Sequence, residues 1–156
     1  MLLYGDQRYG HNLTAMKSPS SETPAPRGAT IAHVGIAVPS LDASVSFYRD
    51  ILGMTDVPIA DSDGARIAAF EAGPSLVELL EAETPDSPIG KFVAKRGPGI
   101  HHVCFAVDDL EGTLDRCRAA GLRLIDQQPR LGAEGKRIAF LHPSSTSGVL
   151  VELSER

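Results

Sequence analysis

The chain has 156 residues, a net charge of −5, 42% hydrophobic and 22% charged residues. These are ordinary proportions for a soluble globular protein, and the length suits one domain or two small units sharing a core. The acidic balance argues against nucleic acid as the main partner, and no run approaches the ~20 apolar residues that span a bilayer, so no membrane partner is expected.

Residues 1–29 hold Ser18-Pro19-Ser20-Ser21 and Thr23-Pro24-Ala25-Pro26 without sustained apolar periodicity, and read as a disordered N-terminal extension. The segment lacks the apolar run of a secretory signal and has few basic residues, which points to a cytoplasmic location. Its His11 reads as a solvated tail residue, and Met16 as an alternative start.

The apolar run Ile31 to Val38 opens the folded part as a buried strand. Ser40 is placed to cap a helix on which Leu41, Val45, Tyr48, Ile51 and Leu52 recur at helical spacing, and Gly53 stops it. Ala65 to Glu71 and Ser75 to Ala82, joined by Ala72-Gly73-Pro74, predict a hairpin. Ser87-Pro88 then starts a short linking helix to about Arg96, with Pro at the favoured first position. A second strand-helix order follows: Ile100 to Val107, then a helix from about Asp109 to Ala120 capped by Asp108, with Glu111 placed for a capping box. Gly121 ends that helix, and short strands are expected near Leu122 to Ile125, Arg137 to Leu141 and Val149 to Leu153.

Two phrases recur along this order. His33-Val34-Gly35-Ile36-Ala37-Val38 returns 69 positions later as His102-Val103-Cys104-Phe105-Ala106-Val107. Leu76-Val77-Glu78-Leu79 returns as Leu150-Val151-Glu152-Leu153. A β-α-β-β-β unit is therefore used twice, module one spanning about 30–83 and module two about 99–154, within a domain of residues 30–154. Neither half buries a good core alone, so the expected fold is α+β: a curved, mostly antiparallel sheet with a concave face and helices outside.

Strand alternation puts small residues beside each repeated His on its own face: Gly35 and Ala37 with His33, Cys104 and Ala106 with His102. Bulky residues fill the opposite face, leaving room for a ligand next to the imidazoles. Glu78 and Glu152 stand among apolar neighbours, where a carboxylate is costly unless paired or metal-bound. A single strand His is more often a hydrogen-bonded core residue, but four such groups at matched positions of a repeat predict a metal site. His33, Glu78, His102 and Glu152 suit one divalent cation, Co2+, Mn2+, Ni2+, Zn2+ or Mg2+, with positions open to water and substrate. His101 belongs to the other face of its strand, as a structural or supporting residue. His142, at a strand end, is open to a structural or a ligand-contacting role. Cys104 and Cys117 read as reduced, inert thiols.

Residues 31–154 resemble the vicinal oxygen chelate superfamily in their doubled β-α-β-β-β pattern with His and Glu in each half. Within it, Gly97 to Leu153 is similar to the methylmalonyl-CoA epimerases. The matching phrases are Gly99-Ile100-His101-His102-Val103, Gly132-Ala133-Glu134-Gly135-Lys136, Phe140-Leu141-His142-Pro143 and Gly148-Val149-Leu150-Val151-Glu152-Leu153. In the first half they are Val77-Glu78-Leu79-Leu80-Glu81 and Asp86-Ser87-Pro88-Ile89. The resemblance implies metal-assisted interconversion of (R)- and (S)-methylmalonyl-CoA through an enolate, Co2+ foremost as the ion, an acyl-CoA substrate and a homodimer. It places the four ligand roles on the residues already selected, and makes Glu152 the leading proton-transferring group. The loop with Gly135 and Lys136 resembles a segment closing over the acyl group, and Lys91, Lys95 and Arg96 are either CoA-phosphate contacts or a solvated helix face. Some relatives carry a Glu, proposed as a base, three residues after a glycine where this chain has Ile67, so one base is unaccounted for. A glyoxalase I-like lyase or other metal enzyme of the superfamily is the alternative, and a non-catalytic bleomycin-resistance-like binder, against which the 5% aromatic content argues, is the second.

Overall fold

A computed structural model describes residues 28–156. The expected extension through residue 27, with His11 and Met16, lies outside the described residues. The elements run β1 (Thr30–Val38), α1 (Leu41–Ser46), β2 (Asp56–Val57), β3 (Ala65–Ala72), β4 (Ser75–Ala82), α2 (Pro88–Arg96), β5 (Gly99–Val107), α3 (Leu110–Ala119), β6 (Arg130–Leu131), β7 (Arg137–Leu141) and β8 (Val151–Glu155). The strands form one curled sheet in the order β2-β3-β4-β1-β5-β8-β7-β6. Only β1 with β4 and β5 with β8 pair in parallel; the other neighbours are antiparallel. The order reads the same outward from the central β1–β5 pair, as a repeated unit requires. No helix among the described residues is long and apolar enough to cross a membrane.

Alternation divides each strand between two layers. On the outer face, Leu41, Val45 and Tyr48 of the first helical segment pack on Ile36, Val38, Phe70 and Leu79. Leu110, Leu114 and Cys117 of α3 pack on Val107, Leu141 and Leu153 in the same manner. The linking helix takes a different place: Ile89, Phe92 and Val93 of α2 meet Ala37, Ala65 and Leu80, on the side of the sheet that carries His33 and Glu78. This helix walls one end of the concave face.

Local chemistry accounts for the departures from the sequence expectations. Ser40 caps α1 through its hydroxyl, as expected, but from Phe47 to Ile51 the helix widens into a π turn, with the Leu52 amide donating to the Phe47 carbonyl. The wider turn leaves Ile51 and Leu52 exposed. The cap of α3 is Asp109, whose carboxylate accepts from the Gly112 amide, and Asp108 instead pairs with Arg156. Glu111 pairs with Arg137 rather than closing a capping box. Of the strand expected at Leu122 to Ile125 only the Leu124–Leu141 bridge forms, because Asp126 turns back to accept from the Phe140 amide.

Candidate functional site

The strand register brings the repeated residues into two rows across the sheet. Glu78, Gly35 and His102 are adjacent on β4, β1 and β5. His33, Cys104 and Glu152 are adjacent on β1, β5 and β8. The rows are copies related by the internal two-fold, and their middle residues differ: Gly35 in one, Cys104 in the other. Gly35 is required by close approach, since a Cβ there would stand 2.6 Å from Nδ1 of His102. The imidazole of His102 folds back over this bare backbone, while His33 lies against the Cys104 thiol.

All four predicted ligands are buried, each 3–6% exposed, which makes their polar atoms depend on protein partners rather than water. The Nε2 atoms of His33 and His102 are 3.0 Å apart. Glu152 Oε2 lies 3.1 Å from His102 Nε2 and 3.4 Å from His33 Nε2. On the other side of the His33 ring, Nδ1 is 3.5 Å from Glu78 Oε1. The donor atoms fall into two overlapping groups, His33 with Glu78 and His102, and His33 with Cys104 and Glu152, each within 4.8 Å.

Three features were not legible as site chemistry in the sequence. The first is Glu134, whose Oε1 lies 3.5 Å from His33 Nδ1 and whose Oε2 is 2.9 Å from Lys136 Nζ. It lies in the glycine loop already noted, where an acid between two glycines reads as a solvated tip. The second is His101, which lines the cavity although alternation puts it on the other face. The β1–β5 register slips by one residue between Gly35–His102 and Ile36–Ile100, so His101 sits in a bulge that redirects its side chain. Its Nδ1 is 3.0 Å from Nδ1 of His102, and Phe92 packs edge-on against its ring. The third is Arg130, which spans the halves in a two-pronged pair with Asp63 and stacks over Phe140.

The cavity over these residues has a volume of about 250 Å3. Ile67, Leu80, Ile89, Ile138 and Phe140 supply apolar walls, and Glu134 and Lys136 line it from the loop. Ile67 is an apolar part of this wall. Gly135 holds the loop turn at a φ of 71° and is not among the lining residues. His142 caps the turn at Pro143–Ser145 by accepting from the Ser144 amide, away from the cavity lining. Lys91, Lys95 and Arg96 are likewise not among the lining residues.

The electrostatics of the cluster call for positive charge. Burial opposes protonation of His33, but contacts with Cys104, Glu134 and Glu152 and the charge of Glu78 outweigh it and push its pKa up to about 12. Burial also resists ionisation of Glu152, yet its bonds to His102 and His33 hold it down at about 2. Glu134 is held at about 2, first by His33 and then against burial by Lys136. Burial, only partly countered by the charge of His33, pushes Glu78 up to about 7. Burial, then the neighbouring His102, lowers His101 to about 4, so it is a neutral partner whose Nδ1 can accept a hydrogen bond from the Nδ1–H of His102 and leave that ring's Nε2 free.

A divalent cation fits this donor set. His33 Nδ1 and Glu78 Oε1 are buried without a hydrogen-bond partner, the deficit a bound cation relieves. Imidazole nitrogen and carboxylate oxygen are ordinary ligands for such ions, and the carboxylates supply compensating charge.

Comparison with known proteins agrees with this architecture. Residues 32–140 match the model of the glyoxalase/bleomycin resistance protein/dioxygenase superfamily. The ethylmalonyl-CoA/methylmalonyl-CoA epimerase of Cereibacter sphaeroides is 39% identical, over 79% of this chain and 95% of the relative. The mitochondrial methylmalonyl-CoA epimerase of Mus musculus is 37% identical, over 79% of this chain and 71% of the relative. A solved methylmalonyl-CoA epimerase in complex with methylmalonyl-CoA and NH4+ superposes with a TM-score of 0.78 at 38% identity, covering 81% of this chain and 94% of that one. The chain belongs to the glyoxalase/bleomycin resistance protein/dioxygenase superfamily and, within it, to the family of the methylmalonyl-CoA epimerases.

Proposed function

We propose that the protein is a methylmalonyl-CoA epimerase, inverting C2 of the acyl group between its (R) and (S) forms. The observation that carries this reading is the buried cluster of two imidazoles and two carboxylates on the concave sheet of a chain 37–39% identical to named epimerases. C2 lies between a thioester and a carboxylate, and its C–H becomes removable when the enolate oxygen is stabilised. A divalent cation held by His33, Glu78, His102 and Glu152 would supply that stabilisation as a Lewis acid.

The residues divide the remaining work. Lys136, partly exposed at the cavity, pairs with the substrate carboxylate in place of its contact with Glu134. Ile67, Ile138 and Phe140 exclude water from the reacting carbon. Glu152, sharing one oxygen between both histidines, takes or returns the proton on one face of C2. His101 and Phe140 fix the ring of His102 by hydrogen bonding and edge-on packing. The cavity takes the acyl head, so the CoA portion extends through its mouth. The same reading includes a cytoplasmic homodimer, the oligomeric part of which light scattering tests.

Cobalt-loaded protein incubated with (2S)-methylmalonyl-CoA in heavy water should incorporate deuterium at C2 and lose chirality. His102→Ala and Glu152→Gln should abolish both, with the fold intact by circular dichroism. Absence of exchange in the wild-type protein with cobalt or manganese would sink the assignment.

A further inference from the structure

Inversion at C2 requires a proton to leave one face and another to arrive on the opposite face. The two ring nitrogens of His33 each face a carboxylate: Glu152 Oε2 at 3.4 Å from Nε2, and Glu134 Oε1 at 3.5 Å from Nδ1. Glu78 also faces Nδ1 at 3.5 Å, but it is fixed in the sheet floor with its side chain only 4% exposed. Glu134 descends from the loop onto the cavity, and its side chain keeps 26% exposure, enough to meet a bound acyl group. The loop is a closed turn, with the Gly132 amide donating to the Lys136 carbonyl and the Gly135 amide to the Gly132 carbonyl. Among the described residues, the ion pairs that restrain Glu134 are those to His33 and to Lys136, the cation a malonyl-type carboxylate would recruit.

We propose that Glu134 is the second proton-transferring carboxylate of this enzyme, acting on the face of C2 opposite Glu152. The proposal rests on the epimerase reading. In one direction the Glu134 carboxylate removes the C2 proton, and the C–H electron pair passes into the enolate. The carboxylic acid of Glu152 then delivers its proton to the other face and re-forms the C–H bond. In the reverse direction the roles exchange. Each turnover leaves the two carboxyl groups with swapped protonation, reset by exchange with solvent, and no oxidant or reductant is consumed.

The test is Glu134→Gln, which keeps size and hydrogen bonding but cannot take the proton. Cobalt-loaded wild-type and variant proteins are given each epimer separately in heavy water, and deuterium entry, chirality, cobalt content and melting temperature are recorded. The expected variant inverts on the order of 100-fold more slowly or worse, yet still exchanges the C2 proton of one epimer with retention. Its cobalt stoichiometry stays at the wild-type value, and its melting temperature falls only slightly, with loss of the partly exposed pair to Lys136. Inversion at the wild-type rate, equal loss of exchange from both epimers, or loss of cobalt would each overturn the proposal, the last by making Glu134 a ligand. Failure of the epimerase reading is distinguishable, because then the wild-type protein itself shows neither exchange nor inversion.

Discussion

Gly35→Ala isolates one steric contact at the centre of the site. Gly35 lies in strand β1 at a φ that any residue adopts, so the backbone itself accepts alanine. Without a clash, alanine would stabilise a strand position by about 0.5–1 kcal/mol over glycine. The new Cβ, however, lands 2.6 Å from Nδ1 and 2.9 Å from Nε2 of His102, where ordinary contact begins near 3.4 Å. Cε1 of the ring lies closer still, so the ring must retreat by roughly 1 Å, the kind of overpacking that costs ~1–3 kcal/mol. Retreat is obstructed, since His33 and His101 each hold the ring at 3.0 Å and Phe140 packs against it edge-on. The net expectation is a loss of about 1–2 kcal/mol, read as a lower urea midpoint in chelator. Cobalt affinity should fall ~10–100-fold by the displacement of His102. The decisive control is the same substitution in a His102→Ala background, where the clash is absent and alanine should be neutral or stabilising. A coupling of ~1–3 kcal/mol between the two changes is expected. Wild-type stability in Gly35→Ala, or an equal cost in both backgrounds, refutes the steric account.

Further expectations concern protons and the cavity mouth. His33, raised from 6.5 to about 12, adds stability that is complete below pH 6.5 and is lost as pH climbs toward 12; Glu78, raised from 4.5 to about 7, adds a loss between those values. Glu134 and Glu152, lowered from 4.5 to about 2, contribute stability that is present above pH 4.5 and lost toward pH 2. His101, lowered from 6.5 to about 4, adds a gain between those values that offsets the Glu78 loss. The melting temperature of chelated protein should therefore stay nearly level from about pH 4.5 to 6.5 and decline above it, and a rise from pH 6.5 to 8 by calorimetry would contradict the cluster's electrostatics. Cobalt binding should displace the His33 proton, so affinity should strengthen as pH rises, measured by titration in buffers of different ionisation enthalpy. Arg130→Ala removes an exposed pair with Asp63 and the stacking on Phe140, so stability should change by only ~0–1 kcal/mol while KM rises more than kcat falls. An unchanged KM would remove Arg130 from the mouth.

The four buried donors were legible because strand alternation is a local rule and the repeat displayed it twice. His33 and His102 each stand beside small residues on their own face, and the sheet keeps that arrangement. Local rules failed where a long-range partner decided the outcome. His101 escapes its assigned face through a bulge that exists only in the β1–β5 pairing, which no single strand encodes. Asp109 displaces Asp108 as the helix cap, while Asp108 is drawn to Arg156 at the far end of the chain. Leu122 to Ile125 has strand-like residues but is pulled into a turn by the bond from Phe140 to Asp126. Glu134 was hidden for a related reason: nothing within an Ala-Glu-Gly-Lys loop says that it folds back onto a histidine 101 positions earlier.

The three buried apolar clusters of the described residues each stay within one half of the molecule, counting α2 with the first. What crosses between the halves includes the β1–β5 ladder, the Asp63–Arg130 pair, the Phe92–His101 contact and the His-Glu cluster itself. The buried His-Glu cluster is thus also a joint, and a cation seated in it would act as a rivet through both halves. Removing the rivet should loosen the seam before it loosens either half, so amide exchange along Gly35 and Val103 becomes a gauge of occupancy. On the epimerase reading, chemistry and assembly are fastened at one point, and a substitution among these side chains is expected to be felt by both.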